Sequence, residues 1–304
     1  MRKIVFLFVL FLTSSLSAAA PDTTLWKPLE DFWGGAGWQE DGFWVLGFPR
    51  SDLNVMVEGT PLETTLGLTS TLRFRALSKG FEVKGQLVLL DQETRRVEDK
   101  LILDGFKLED FGDLLVGETP ALKVLDFSGK GTGSVLSAEL KEVLGFTGTP
   151  LTPLSFPTRV PNAVENWDSV QTALGQKGFI QGKVLWLLAR PFTPASEPAL
   201  GFLSLRLQRD GSSLLVLGEA ILDPSQTPEL LKTLARAKMT VTSLRPSALG
   251  AVRVRWWGSG EEAAVISVLQ KIISLKVPLG EAPSHETLPA SAPAPALTPA
   301  VEGF

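Results

Sequence analysis

Two stretches of this chain, Trp26 to Leu144 and Trp167 to Ile273, run through the same elements in the same order, and this internal similarity constrains the fold more than any single motif. Each opens on a helix-like segment, Trp26 to Trp33 and Trp167 to Leu174. An aromatic strand follows a glycine turn, Gly42 to Arg50 in one and Gly182 to Arg190 in the other, so that Trp26 and Trp44 find counterparts in Trp167 and Trp186. Two β-rich runs come next: Leu72 to Arg75 with Phe81 to Leu90, and Leu203 to Leu207 with Ser213 to Leu222. Each second run ends in an acidic turn, at Asp91 or Asp223, and a helix follows, Arg95 to Leu103 or Pro228 to Ala237. Last strands lead to Phe127-Ser-Gly129-Lys-Gly131 and Trp256-Trp-Gly258-Ser-Gly260, and a closing helix ends each copy, Val135 to Leu144 or Ala263 to Ile273. The pattern predicts an α+β protein built as a tandem duplication of two similar units, each a mostly antiparallel sheet with flanking helices. Leu87 and Ala220 are expected on equivalent strands. With 304 residues, 44% of them hydrophobic, the chain has enough apolar mass for each unit to bury its own core.

The flanks differ in kind from the units. Arg2-Lys3, the apolar run Ile4 to Leu12 and the small residues around Ala18-Ala19-Ala20 read as a secretory signal cut after Ala19. The apolar run is too short to span a bilayer, which takes about 20 residues. The expected division is a signal peptide at 1–19, repeat unit one at 22–146, a Pro-rich linker at 147–162, repeat unit two at 163–279 and a disordered Pro/Ala-rich tail at 280–304. The expected product is secreted or periplasmic, with no transmembrane segment after signal cleavage. The absence of cysteine rules out disulfides in a compartment that permits them, and a lipoprotein anchor with them. Removing Arg2 and Lys3 takes the net charge from −4 to −6. Such a chain is poorly suited to nucleic acid, because phosphate contacts need clustered Lys and Arg, and Arg95-Arg96 and Arg253/Arg255 are too sparse to supply them.

The residues also limit the chemistry. A Ser-His-Asp arrangement needs a histidine in the folded body, and the sole histidine, His285, lies in the tail. Zinc sites rely on His and Cys; neither is available, and no metal site or cofactor is expected. Glu109, Asp110, Asp113, Glu118 and Asp126 could hold a hard cation, but they read more plainly as a solvated acidic strand edge. Ser128 to Gly133 lacks the P-loop ending and reads as a conformational turn leading into a helix cap. Trp26 and Trp44 read as core filling. Trp33 and Trp38 flank Gly34-Gly-Ala-Gly37, have no counterpart in the second copy, and are the better candidates for touching a ligand.

The segment Pro49-Arg50-Ser-Asp52-Leu53-Asn-Val55-Met-Val57-Glu-Gly59 resembles the P-R-x-D-L-x-V-x-V-x-G stretch of the bacterial LppY/LpqO family, domain of unknown function 1259. Gly67-Leu-Thr-Ser70 and Gly85 to Glu93 continue the likeness, and Leu174 to Gly178, Gly218 to Leu222 and Trp256-Trp257 resemble the family's other half. The resemblance implies histidines that this chain lacks: an H-N-H motif on the strand after the second helix, and a further histidine on the next strand. Those places read Phe111-Gly112-Asp113 and Asp126 in the first copy, and the last reads Arg255 in the second. The chain therefore resembles a divergent member, and the likeness implies fold more than activity.

The expected function is a noncatalytic binding or interaction module with a degenerate site, its partner a small molecule or an envelope component. The alternative is a carboxylate-based, metal-assisted hydrolase, favoured if Asp113 and Asp126 converge in a cleft and disfavoured if they splay to solvent. The ligand-binding candidates are Trp33, Trp38, Arg50, Asp52, Asp113, Asp126 and Arg255. Aligning the copies back from Gly129 and Gly258 pairs Asp126 with Arg255. The plainer reading is two unrelated surface charges; the other is an ion pair across the two units in place of a histidine site.

Overall fold

The computed structural model describes residues 25–40, 42–154, 165–188, 202–247 and 250–275. The signal segment, the end of the linker, Arg190 and the tail with His285 lie outside the described residues. Among those described, no helix is long and apolar enough to cross a membrane.

The first unit runs α1 (Lys27–Phe32), β1 (Trp38–Glu40), β2 (Phe43–Pro49), β3 (Met56–Val57), β4 (Thr60–Pro61), α2 (Thr64–Gly67), β5 (Thr69–Ala76), β6 (Phe81–Leu90), α3 (Asp91–Leu103), β7 (Lys107–Asp113), β8 (Glu118–Thr119), β9 (Leu122–Gly131) and α4 (Gly133–Gly145). The second runs α5 (Asp168–Leu174), β10 (Phe179–Gln181), β11 (Val184–Leu188), β12 (Leu203–Asp210), β13 (Ser213–Leu222), α6 (Thr227–Arg236), β14 (Thr240–Pro246), β15 (Val252–Glu261) and α7 (Glu262–Ser274). Each unit holds a six-stranded antiparallel sheet, ordered β1-β2-β5-β6-β9-β7 in one and β10-β11-β12-β13-β15-β14 in the other. A small sheet, β4-β3-β8, is extra to the first unit.

The two sheets agree residue by residue. Gly85 faces Phe127 in the first and Gly218 faces Trp256 in the second; Leu87 faces Leu125 as Ala220 faces Val254. Both last strand pairs carry an irregularity at the same place, between Leu108 and Asp110 and between Val241 and Ser243. Leu87 and Ala220 thus occupy equivalent strands. One expected match shifts by a residue. Trp38 pairs with Val45 and Phe179 pairs with Trp186, so Trp186 is the equivalent of Val45, and Trp38 has a counterpart in Phe179. A one-residue slip moves a strand side chain to the opposite face. Trp44 accordingly fills the core, whereas Trp186 lies on the opposite side of its sheet, under the Arg206 guanidinium.

Alternation along the strands gives each sheet an apolar inner face and a mixed outer face. On the inner face, Leu46, Phe48, Leu72, Phe74, Val83, Leu87 and Phe127 pack against Leu29, Val97, Leu101, Leu136 and Leu140 from α1, α3 and α4. Leu205, Leu207, Val216 and Trp256 pack likewise with Leu230, Leu234, Val265 and Leu269 from α6 and α7. The outer faces meet each other. Val88, Leu122 and Val124 join Val184, Leu215 and Trp257 in a third apolar cluster that ties the units together.

Gly129 and Gly131 do not form a turn. They continue β9 in extended conformation, and α4 begins after Thr132 alone. The reason is packing: a Cβ on Gly129 would stand 2.4 Å from the Phe106 ring, as one on Gly258 would stand 2.6 Å from Met239. Both glycines serve close approach within a strand.

Candidate functional site

The chemistry-bearing side chains gather where the outer faces of the sheets meet. Asp126, on β9, and Asp110, opposite it on β7, come from the first unit. Arg253 and Arg255 on β15, Arg245 on β14 and Glu219 on β13 come from the second. Arg255 Nη2 lies 2.5 Å from Asp126 Oδ2, and Arg253 Nη1 donates to the same oxygen at 3.1 Å. Gln86 Nε2 donates to Asp126 Oδ1 at 2.9 Å. Arg245 Nε stands 2.5 Å from Asp110 Oδ1, and Ser243 Oγ donates to Asp110 Oδ2 at 3.4 Å. Glu219 is ion-paired to the far sides of the same arginines, 3.3 Å from Arg253 Nε and 3.6 Å from Arg255 Nε.

The centre of this network is largely withdrawn from water, the side chains of Asp110 and Asp126 being 7% and 8% exposed and that of Arg255 12%, whereas Arg245 reaches solvent at 42%. Burying one such charge alone is costly; together they offset one another. Burial opposes the charge on Arg255, but Glu219 and Asp126, with Asp110 behind, outweigh it and hold the guanidinium pKa above its ordinary value. Burial likewise pushes the Glu219 carboxyl up, and Arg255, Arg253 and Arg206 bring it below the usual carboxylate range.

With that geometry in place, the comparisons locate half of it. Residues 27–145 match the family model described as Domain of Unknown Function (DUF1259), covering α1 to α4. The first unit is a DUF1259 domain. No curated protein matches the chain. A solved structure, "Crystal structure of putative glycine cleavage system transcriptional repressor", is similar at 10% identity over 63% of this chain and 87% of its own, with a TM-score of 0.21, and at that score it carries no argument.

Within the DUF1259 unit the expected ligand-binding residues divide. Asp126 meets Arg255. The acidic run is a solvated edge only at Glu109 and Asp113, which are exposed; Asp110, Glu118 and Asp126 are buried: two of them face arginines of the second unit, and Glu118 accepts from the Leu122 N–H at 2.9 Å. Asp113 does not join Asp126. It pairs with Lys123 at 2.6 Å toward solvent. Among the described residues no group of three or more His, Cys, Asp or Glu could hold a metal ion.

Trp33 is not placed for ligand contact; it is core, 7% exposed, with its indole N–H on Ser137 Oγ at 3.0 Å and its ring edge-on to Phe48. Trp38 lies partly buried on the edge strand β1. Arg50 has no solvent exposure and is a structural hub rather than a ligand contact. Its Nε and Nη2 donate to Asp52, its Nη1 to the Val88 carbonyl at 2.7 Å, and Nη1 and Nη2 to both oxygens of Glu93 at 2.8 and 3.0 Å. Glu93 also accepts from the Leu90 and Gly148 N–H groups, so the hub joins the end of β2, the start of α3 and the segment after α4. The Arg-x-Asp motif was visible in sequence; its third member, Glu93, was not. Glu219, Arg206 and Arg245 were also unmarked. Their only signal is position: they are charged residues within the apolar alternation of β12, β13 and β14.

Proposed function

We propose that this protein is an exported, noncatalytic binding or interaction module, in which an ion-pair layer stands where the resemblance to the family places histidines. We infer also that its two units descend from a tandem duplication. The observation that carries the functional reading is the state of Asp126. Both of its oxygens are engaged, by two guanidinium groups and an amide, which fill three of its roughly four lone-pair directions, and two of those donors are cations that repel a metal ion; at 8% exposed it also has little water from which to act as a base. Asp113 is paired with Lys123 and makes no contact with Asp126. Export rests on the N-terminal sequence, Arg2-Lys3 followed by Ile4 to Leu12. The partner is a small molecule or envelope component, and nucleic acid is disfavoured by the acidic balance of the chain.

The rival, a carboxylate-based hydrolase, is tested by assaying the mature chain on ester and phosphoester substrates with magnesium or manganese. The expected result is the same background rate for the wild type and for Asp126→Asn. Turnover that disappears in Asp126→Asn would overturn the noncatalytic reading.

A further inference from the structure

Arg206 carries a charge that the ion-pair layer does not answer. It projects from β12 into the space between the sheets. Its Nη1 makes a long hydrogen bond to the Leu66 carbonyl, 3.4 Å, and the Trp186 ring lies 4.3 Å from the guanidinium carbon. Among the described residues, no carboxylate oxygen lies within 4.0 Å of it. Glu219 is the carboxylate whose charge acts on it, and it is already shared between Arg253 and Arg255. Across the layer, Arg206, Arg245, Arg253 and Arg255 stand against Asp110, Asp126 and Glu219, which leaves one positive charge in excess. Asp113 does not correct this, because Lys123 neutralises it. Burial pushes the Arg206 guanidinium down to about 10; Glu219 opposes that shift and Arg255 adds to it.

Beside Arg206 lies a cavity of about 30 Å³, whose polar lining is Gln86, Ser204, Arg206 and Arg255 with the carboxylates Glu219 and Asp113, the first held by Arg253 and Arg255 and the second by Lys123. A water-sized occupant needs about 10–15 Å³ by this measure, so there is room for about two. Ser204 stands two residues before Arg206 on the same face of β12, and its hydroxyl can donate into the same space. We propose that this cavity is a binding site for a small monovalent anion, of halide or formate size, held by the Arg206 guanidinium and the Ser204 hydroxyl. Water would satisfy the N–H groups but leave the charge uncompensated, and a buried charge is costly unless paired. Volume sets the upper limit: a sugar acid such as gluconate does not fit. The inference goes beyond the proposed function, since the ion would act as a counterion at the join between the units whatever the module binds on its surface.

The test is ³⁵Cl NMR on the full mature chain in sodium chloride, with bromide, formate and gluconate as competitors at constant ionic strength. The expected result is a chloride line broadened by the protein and narrowed by bromide and formate but not by gluconate. Arg206→Gln is expected to abolish the broadening. Ser204→Val, which keeps the guanidinium, is expected to weaken bromide competition several-fold. The unfolding midpoint should rise saturably when bromide replaces gluconate for the wild type, as for any ligand bound only by the folded state. No broadening with the wild type would overturn the inference whether or not the variants fold. Broadening that persists unchanged in Arg206→Gln and Ser204→Val would show ordinary surface binding and overturn it equally. Neither outcome touches the turnover assay on which the noncatalytic reading depends.

Discussion

Neutralising either end of the Asp126–Arg255 pair should cost more than any surface charge in this protein, and the two losses should not add. Asp126→Asn leaves Arg253 and Arg255 in place with only Glu219 and Asp110 to offset them. Breaking a buried pair from one side typically costs about 3–5 kcal/mol. The remaining carboxylates, at 3.3 to 3.9 Å, soften that, so about 2–4 kcal/mol is expected. Arg255→Gln should cost a similar amount, because Arg253 still holds Asp126 Oδ2 at 3.1 Å. With both changed, neither buried charge is stranded, and the double variant should recover about 0.5–3 kcal/mol relative to the sum, the range for residues in one network. The assay is urea unfolding of the two single variants and the double, with the slope checked for constancy. Raising salt should change the coupling little, since buried pairs are weakly screened. The exposed pair Lys27–Asp31 supplies the contrast, at no more than about 1 kcal/mol. Additivity within about 0.3–0.5 kcal/mol would mean that the two side chains do not share an interaction, and the ion-pair account of the site would fall.

Two further outcomes follow from other charged groups. Arg50→Met strands Glu93 and Asp52 against a side chain with no donors, so a loss of about 3–5 kcal/mol is expected in urea unfolding; a change under about 1 kcal/mol would show that the hub is dispensable. Glu219 titrates below its ordinary value of 4.5 in the folded chain, because the arginines around it outweigh burial. Its stabilisation is therefore complete above that value and is lost as pH falls through the lower folded value. Between about pH 6 and about pH 3 the urea midpoint of Glu219→Gln should fall less than that of the wild type, and parallel falls would remove Glu219 from the acid response.

The inner faces of the sheets were legible in sequence because they obey one rule: the alternation in Phe81 to Leu90 and Ser213 to Leu222 matches β6 and β13 at both ends. Helices were legible in position but not in length. α3 starts at Asp91 rather than Arg95, because Glu93 folds back to accept from the Leu90 N–H and so satisfies a donor at the first turn. Glycines misled. Gly129 reads locally as a turn, and only the Phe106 ring packed against it shows why glycine stands in a strand. The site was legible at one pair, Asp126 and Arg255, through alignment of the copies. Asp110 and Arg245 were not, since their partner lies on another unit and a contact at that separation leaves no local spacing to read. Trp33 failed as a candidate for the reverse reason: a tryptophan beside glycines looks exposed, whereas Ser137, far along the chain, supplies the polar partner that lets it be buried.

Why the two units agree on one face and differ on the other follows from what each face touches. Inner faces are covered by their own helices, so equivalent positions meet equivalent surroundings and keep the same solution. A Cβ on Gly85 would stand 2.1 Å from the Phe127 ring, and one on Gly218 would stand 2.2 Å from Trp256. Both units lay an aromatic ring across a glycine of the neighbouring strand. Outer faces meet each other instead, and they meet at equivalent places: Asp126 with Arg255, Asp110 with Ser243, β7 with β14. In a symmetric contact a residue near the axis faces its own copy, so identical units would set aspartate against aspartate or arginine against arginine in a buried layer. Joining both units in one chain removes that restriction, because each position can then carry its own residue. Opposite charges at one equivalent position are the arrangement that makes such a face bury without repulsion. The charged residues at this place, without counterpart in sign between the units, form the contact that holds the two units in register.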